Sequence, residues 1–249
     1  MNSNVWFPYK KRGDGNFDYK LFCFNHAGGD SNIFRDWIDF DESIEVMPIE
    51  IPGRRKRMGE KCSVDFAKLV DDIAREVILN AKSDRVFIYG HSLGAILAFK
   101  LAVVLEKDYS KKVEGLFVAG RHAPTDEDPS PYRTTMGVNG LKSELLRLGD
   151  TPEQLLDNKP FMDFYLPIIY SDYKLAEDYS YGGEVVNCPI YAMCGKRDLL
   201  ANFEMMKNWQ QFTKKTFVLK DFEGGHFFAY DESSKDVKNF IIKNIKDSA

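Results

Sequence analysis

The stretch Tyr89-Gly90-His91-Ser92-Leu93-Gly94-Ala95 decides how the rest of this chain is read. It follows a short apolar run, Arg85-Val86-Phe87-Ile88-Tyr89, with the length and composition of a buried strand. It leads into Leu93 to Glu106, which reads as a helix. G-x-S-x-G at a strand-to-helix turn is the mark of a nucleophile elbow. A turn that sharp needs small neighbours, hence Gly90 and Gly94. It would hold the Ser92 hydroxyl at the carboxyl edge of a sheet. The helix that follows would aim its first N–H groups at the same point, which suits a developing oxyanion. A bare G-x-S-x-G also occurs in plain Gly/Ser turns, and the strand and helix on either side separate the two readings.

Outward from the elbow, strand and helix patterns alternate. Tyr19 to Phe24, Ile44 to Ile49, Gly115 to Ala119, Ile190 to Cys194 and Thr216 to Leu219 read as strands. Ser31 to Trp37 reads as a short helix with Ser31 as N-cap, and Phe203 to Phe212 and Ser234 to Ile245 as further helices. Val64 to Leu79 places Phe66, Leu69, Val70, Ile73 and Val77 on one helical face. Short apolar strands separated by helices predict an α/β fold, a mostly parallel central sheet flanked by helices. The whole chain, 1–249, is expected to be one domain.

Residues 124–183 break the rhythm. Asp/Pro-rich turns give way to helical stretches near Leu141 to Leu148 and Pro152 to Leu156, then to an aromatic run from Phe161 to Tyr181. No strand is expected there. The segment is read as a mobile lid inserted above the carboxyl edge, with Phe161, Phe164, Tyr165 and Tyr170 lining a substrate pocket. The plainer alternative is a helical decoration whose rings anchor it to the core.

A serine nucleophile needs a base, and the base needs an orienting group. At an elbow of this kind they follow in the order Ser, Asp or Glu, His. The chain has four histidines. His26 and His91 precede Ser92, and His122 comes before any plausible acid. His226, in the loop Glu223-Gly224-Gly225-His226-Phe227-Phe228, has the right order. Asp198, in the loop after the strand Ile190 to Cys194, is the expected acid; Asp172, Asp178 and Asp221 are rivals by order alone. Leu93 N–H should be one oxyanion donor, and the loop Asn25-His26-Ala27-Gly28-Gly29 should supply the other. That loop lacks the G-x-G-x-x-G of a dinucleotide site.

The net charge of −4 gives no global reason to expect nucleic acid or an anionic membrane as partner. One basic cluster, Arg54-Arg55-Lys56-Arg57, reads either as a solvated turn or as a docking site for an acidic partner. No signal peptide and no spanning segment is seen at the N-terminus or elsewhere, which predicts a cytoplasmic protein. Cys23, Cys62, Cys188 and Cys194 lack zinc-ligand spacing and are expected to be free thiols.

These segments together resemble a known family. Leu21 to Gly29, Ile51-Pro52-Gly53-Arg54, Gly90 to Ala95, Ala119 to Pro124, Leu148 to Pro152, Leu166-Pro167, Asp172, Tyr179 to Tyr181 and Gly224 to Phe228 look like the motifs of the type II, stand-alone thioesterases of nonribosomal peptide and polyketide synthesis. The resemblance runs from about Lys20 to the last helix. It implies an α/β-hydrolase fold with a helical lid, and a triad on Ser92, Asp198 and His226. It implies that Ala27 N–H is the second oxyanion donor. It further implies an acyl or peptidyl thioester on the phosphopantetheine of a carrier domain as substrate, editing of stalled or mis-primed carriers as the role, no metal or other cofactor, and a monomer. Asn25 departs from the usual Pro or His at its position, and His122 from the usual Arg or Pro. Other readings are an acyltransferase, a product-releasing thioesterase or esterase of the same fold, and a non-catalytic binding protein.

Overall fold

The computed structural model describes residues 4–9, 17–82, 84–148, 151 and 153–248. Gly149, Asp150 and Pro152 of the family-like segment lie outside them. Six strands, β1 (Tyr19–Phe24), β2 (Ile44–Pro48), β3 (Arg85–His91), β4 (Val113–Ala119), β5 (Ile190–Gly195) and β6 (Phe217–Phe222), form one sheet in the order β2-β1-β3-β4-β5-β6. Every neighbouring pair is parallel.

Strand side chains alternate between two apolar layers, as the period of two requires. Phe22, Phe24, Val86, Ile88, Leu116 and Val118 face the helices α1 (Phe66–Ala81) and α2 (Leu93–Asp108). Leu21, Cys23, Phe87, Tyr89 and Phe117 face α7 (Ser234–Asp247) and a 3-10 turn at Ser31–Trp37. Both faces are covered, which is why the strands read as continuous apolar runs rather than as alternating ones. The 3-10 turn is capped by Asp30, whose carboxylate accepts from Asn32 N–H at 2.7 Å, and not by Ser31. Ser31 instead donates to Glu50 at 2.6 Å.

Register levels the strand ends. Phe24 lies beside Gly90, and His91 beside Ala119. The loops that leave β1, β3 and β4 therefore start at one edge. Between β4 and β5 the chain builds α3 (Gly137–Leu148), α4 (Glu153–Leu156) and α5 (Lys159–Asp178). The helix α6 (Phe203–Lys207) continues as a 3-10 turn to Phe212.

The long α5 takes up most of the aromatic run from Phe161 to Tyr181. Asn158 caps it by accepting from Phe161 N–H, and Pro160 sits in the first turn, where its missing N–H costs nothing. Pro167 lies inside the helix. Ile169 of α5 packs with Tyr132 and Leu141, with Tyr165 and Tyr173 against them.

Candidate active site

The elbow is tight in the way its glycines require. A Cβ on Gly90 would sit 2.0 Å from the Gly94 carbonyl oxygen, and one on Gly94 would sit 2.5 Å from that of Asn25. Ser92 itself takes φ +54°, a conformation L residues rarely adopt. Its N–H is held by the Ala119 carbonyl at the end of β4, 2.8 Å away. Ser92 is thus fixed between the end of β3 and the start of α2, with its hydroxyl toward a cavity of about 910 Å³.

The loops after β5 and β6 meet beside it. Arg197 N–H donates to the Gly224 carbonyl at 2.9 Å, and Lys196 N–H to that of Phe222 at 2.8 Å. This brings Asp198 and His226 together, with Asp198 Oδ2 3.0 Å from His226 Nδ1. The other oxygen, Oδ1, accepts from Leu200 N–H at 2.8 Å and from Ala201 N–H at 3.3 Å. Burial alone would raise the Asp198 carboxyl. The bond and charge of His226, with those two amides, outweigh it and hold the carboxyl below its ordinary range. Ser92 and His226 line the same cavity. No hydrogen bond joins their side chains here; such bonds often close only around bound substrate.

His91 gains a position that sequence reasoning missed. Its ring is fully buried, edge-on to His226 at 5.2 Å and stacked on Tyr230 at 5.1 Å. Burial, then the neighbouring His226 and His26, push its pKa well down. It therefore backs the His226 ring as a neutral wall. His26 is lowered to about 4, chiefly by burial.

The first loop is ordered by its own peptide groups. The His26 carbonyl accepts from Asn25 Nδ2 at 2.8 Å and from Gly29 N–H at 3.1 Å. Across a trans peptide the amide points opposite to the carbonyl. Ala27 N–H is thereby turned away from the turn, and it has no acceptor among the described residues. Both Ala27 and Leu93 line the cavity.

The opposite wall comes from the β4–β5 segment. Phe161 and Tyr165 line the cavity, their rings stacked at 4.4 Å. Phe164 and Tyr170 do not: they are 45% and 42% exposed, because they project from the outer side of α5. Met162, Ile169 and Tyr173 take their place in the wall. The lining is also more polar than expected. Arg121 pairs with Asp128 at 3.2 Å, and Ser130 donates to the buried Glu144 at 2.7 Å.

The basic cluster divides in two. A 3-10 turn over Arg55–Arg57, with three residues per turn, puts Arg54 and Arg57 on one inward face and Arg55 and Lys56 outside. Arg54 and Arg57 are 3% and 6% exposed. Arg57 lies over the Trp6 ring at 3.8 Å and bonds Glu60 and the Glu50 carbonyl. Neither can serve as a docking charge. Arg55 and Lys56 remain at the surface.

The Thioesterase domain family matches residues 19–245. The chain belongs to the thioesterase family. It is 32% identical to the thioesterase PikA5 of Streptomyces venezuelae, over 90% of this chain and 81% of that one. It is 31% identical to the gramicidin S biosynthesis protein GrsT of Aneurinibacillus migulanus, over 91% and 89%. Among solved structures, the type II thioesterase BorB from the borrelidin biosynthetic cluster superposes with a TM-score of 0.85 at 29% identity, covering 98% of this chain and 99% of that one. The resemblance to type II thioesterases and the α/β-hydrolase fold are both borne out. The chain is a thioester hydrolase by family. No helix among the described residues is long and apolar enough to cross a membrane.

Proposed function

We propose that the protein hydrolyses acyl or peptidyl thioesters carried on the phosphopantetheine of synthase carrier domains, with Ser92, His226 and Asp198 as its triad. One observation carries the reading. Ser92, held at positive φ by the elbow, opens onto the same cavity as a histidine fixed by a buried aspartate. His226 takes the Ser92 proton as the oxygen attacks the thioester carbonyl. Asp198 keeps the imidazole in the needed tautomer and stabilises its cation. Ala27 and Leu93 N–H groups receive the oxyanion. The tetrahedral adduct then collapses, breaking the C–S bond, and His226 returns its proton to the departing thiol, a good leaving group with a pKa of about 8.5. Water activated by His226 then frees the acid. These steps need no metal or redox cofactor.

The carrier is supported by the relatives, which serve gramicidin S and borrelidin biosynthesis. In this reading the protein works as a cytoplasmic monomer, residues 124–183 act as a lid over the cavity, and the role is to clear stalled or mis-primed carriers.

The test is a panel of acyl-loaded carriers assayed beside matching free esters and pantetheine thioesters. Carrier thioesters should be the preferred substrates, and a serine-directed phosphonate should label Ser92. Ser92→Ala and His226→Ala should each lose at least about a thousandfold in kcat, with the double variant little worse. Labelling at another serine, or a preference for free esters, would overturn the assignment.

A further inference from the structure

The first loop owes its shape only in part to itself. Gly28 sits at φ +77°, and glycine there leaves the backbone soft unless something outside grips it. Two side chains do so. Asp172 Oδ2, on α5, accepts from Gly28 N–H at 2.6 Å. Arg54 Nε, from the turn after β2, donates to the Gly29 carbonyl at 2.8 Å. The Arg54 guanidinium then bonds both oxygens of Asp172, and its Nη1 donates to the Pro52 carbonyl at 3.1 Å. Arg54 is 3% exposed and Asp172 1%, so neither charge is screened by water. The same face of α5 abuts the loop: a Cβ on Gly28 would sit 3.0 Å from Ile169 Cγ1.

This clasp acts on the peptide groups on either side of Ala27. The Ala27–Gly28 amide is held by Asp172, the Gly29 carbonyl by Arg54, and the His26 carbonyl by Gly29 N–H. What these bonds leave pointing outward is Ala27 N–H. Oxyanion donors stabilise a transition state because they are already aimed before charge develops. A displacement of about 1 Å in such a group can cost on the order of a hundredfold.

We propose that Arg54 and Asp172 are positioning residues that preset the oxyanion hole, so that the aim of Ala27 N–H depends on the seating of α5. The proposal rests on the reading of Ser92 as nucleophile and Ala27 as oxyanion donor. It gives the buried half of the basic cluster a role in catalysis, and it makes one helix of the cavity wall part of the machinery opposite. The competing explanation is a staple that merely fastens α5 to the core. A staple would affect stability and substrate binding. A positioning pair affects the transition state.

The experiment compares wild type with Arg54→Lys, Asp172→Asn and the double variant Arg54→Met with Asp172→Leu. The double variant strands no buried charge and so keeps the fold within reach. Five quantities are read besides thermal stability. They are kcat and KM on one acyl thioester, the rate of Ser92 phosphonylation, and the affinities of an acyl trifluoromethyl ketone and of an unreactive thioether. The ketone forms an oxyanion on Ser92; the thioether does not.

The double variant should lose about 10- to 100-fold in kcat with KM within about twofold. Ketone affinity and phosphonylation rate should fall by a similar factor while thioether affinity holds. Arg54→Lys should recover part of the loss, since an ammonium keeps the charge and gives up the fork. An unchanged kcat, or equal weakening of ketone and thioether, would reduce the pair to a staple while leaving the nucleophile in place. A wild-type protein that the phosphonate does not label would overturn both readings.

Discussion

On the sheet side of the cavity, Ser92, Asp198 and His226 stand on three loops whose positions follow from strand register and backbone bonds. On the far side, α3, α4 and α5 present a wall of side chains, some aromatic, some charged, held by one another. Each side contributes one buried aspartate. Asp198 faces His226; Asp172 faces Arg54 and a loop amide. Both are nearly inaccessible, at 4% and 1% exposure. The difference lies in what the carboxylate holds: in one case an imidazole ring, in the other a guanidinium and a loop amide. In the proposed mechanism the first carboxylate orients a ring that moves protons and the second a peptide that receives charge, so the partner, not burial, separates the two roles.

The strongest way to break that comparison is Asp198→Asn. An amide can hold the ring in the wrong tautomer, so kcat should fall by about 10⁴-fold with the fold retained. Asp172→Asn should cost far less, because its amide oxygen can still accept from Gly28 N–H. Equal losses would erase the distinction. Stability should also depend on pH through Asp198. The Asp198 carboxyl lies below its ordinary range when folded, so its contribution is present above about pH 4 and drains away as pH falls through the depressed value. Asp198→Asn should flatten the acid limb of a melting-temperature profile. An unchanged acid limb would mean that other carboxylates set it.

The sheet side was legible in the sequence for a physical reason. An elbow, a strand buried on both faces and a glycine-flanked histidine are each decided within a few residues, by sterics that no distant contact can relax. The far side was not. Pro167 interrupts the α5 pattern, and its aromatics face both inward and outward, so the segment showed ring density rather than a helical face. Phe164 and Tyr170 were expected in the pocket because they are aromatic, yet the step of about 100° between adjacent helix positions turns Phe164 away from Tyr165, and Tyr170 away from Ile169, to the surface. Asp172 was visible as a rival acid, but its partner lies 118 residues away, and no local pattern announces such a pair. Four consecutive cations likewise looked like one face until the 3-10 turn sorted them into two inside and two outside.

A smaller effect tests the far wall as a pocket. Tyr165 lines the cavity and Phe164, its neighbour, is exposed. Tyr165→Ala should shift the preference among acyl chains by roughly tenfold toward bulkier groups, with little change in the best kcat. Phe164→Ala is the matched control and should leave the profile where it was. The comparison is kcat/KM across a graded acyl series on one carrier. If both variants keep the wild-type profile, the acyl group is held by the sheet side alone.

The smallest effect concerns the outward half of the basic cluster. Arg55 and Lys56 stand at the surface on the same turn that carries Arg54 inward to the clasp. Arg55 is not wholly free, lying 3.7 Å from both Asp30 and Glu50. Exposed charges add little to stability, and their reach is set by salt: the screening length is about 8 Å at physiological ionic strength. What they can change is the rate at which an acidic carrier arrives. Reversing both, Arg55→Glu with Lys56→Glu, should lower kcat/KM on a carrier substrate by a few-fold at low salt, about the size expected of surface steering. The same variant should leave kcat/KM on a minimal pantetheine thioester unchanged, because the clasp and the triad are untouched. Raising the salt should bring wild type down toward the variant on the carrier and move neither on the small substrate. A loss on both substrates would mean that the turn disturbs Arg54, and the outward half would then belong to the catalytic loop rather than to docking. Identical carrier kinetics at all salt concentrations would leave the surface cations as a solvated turn and place carrier recognition on another face of the protein.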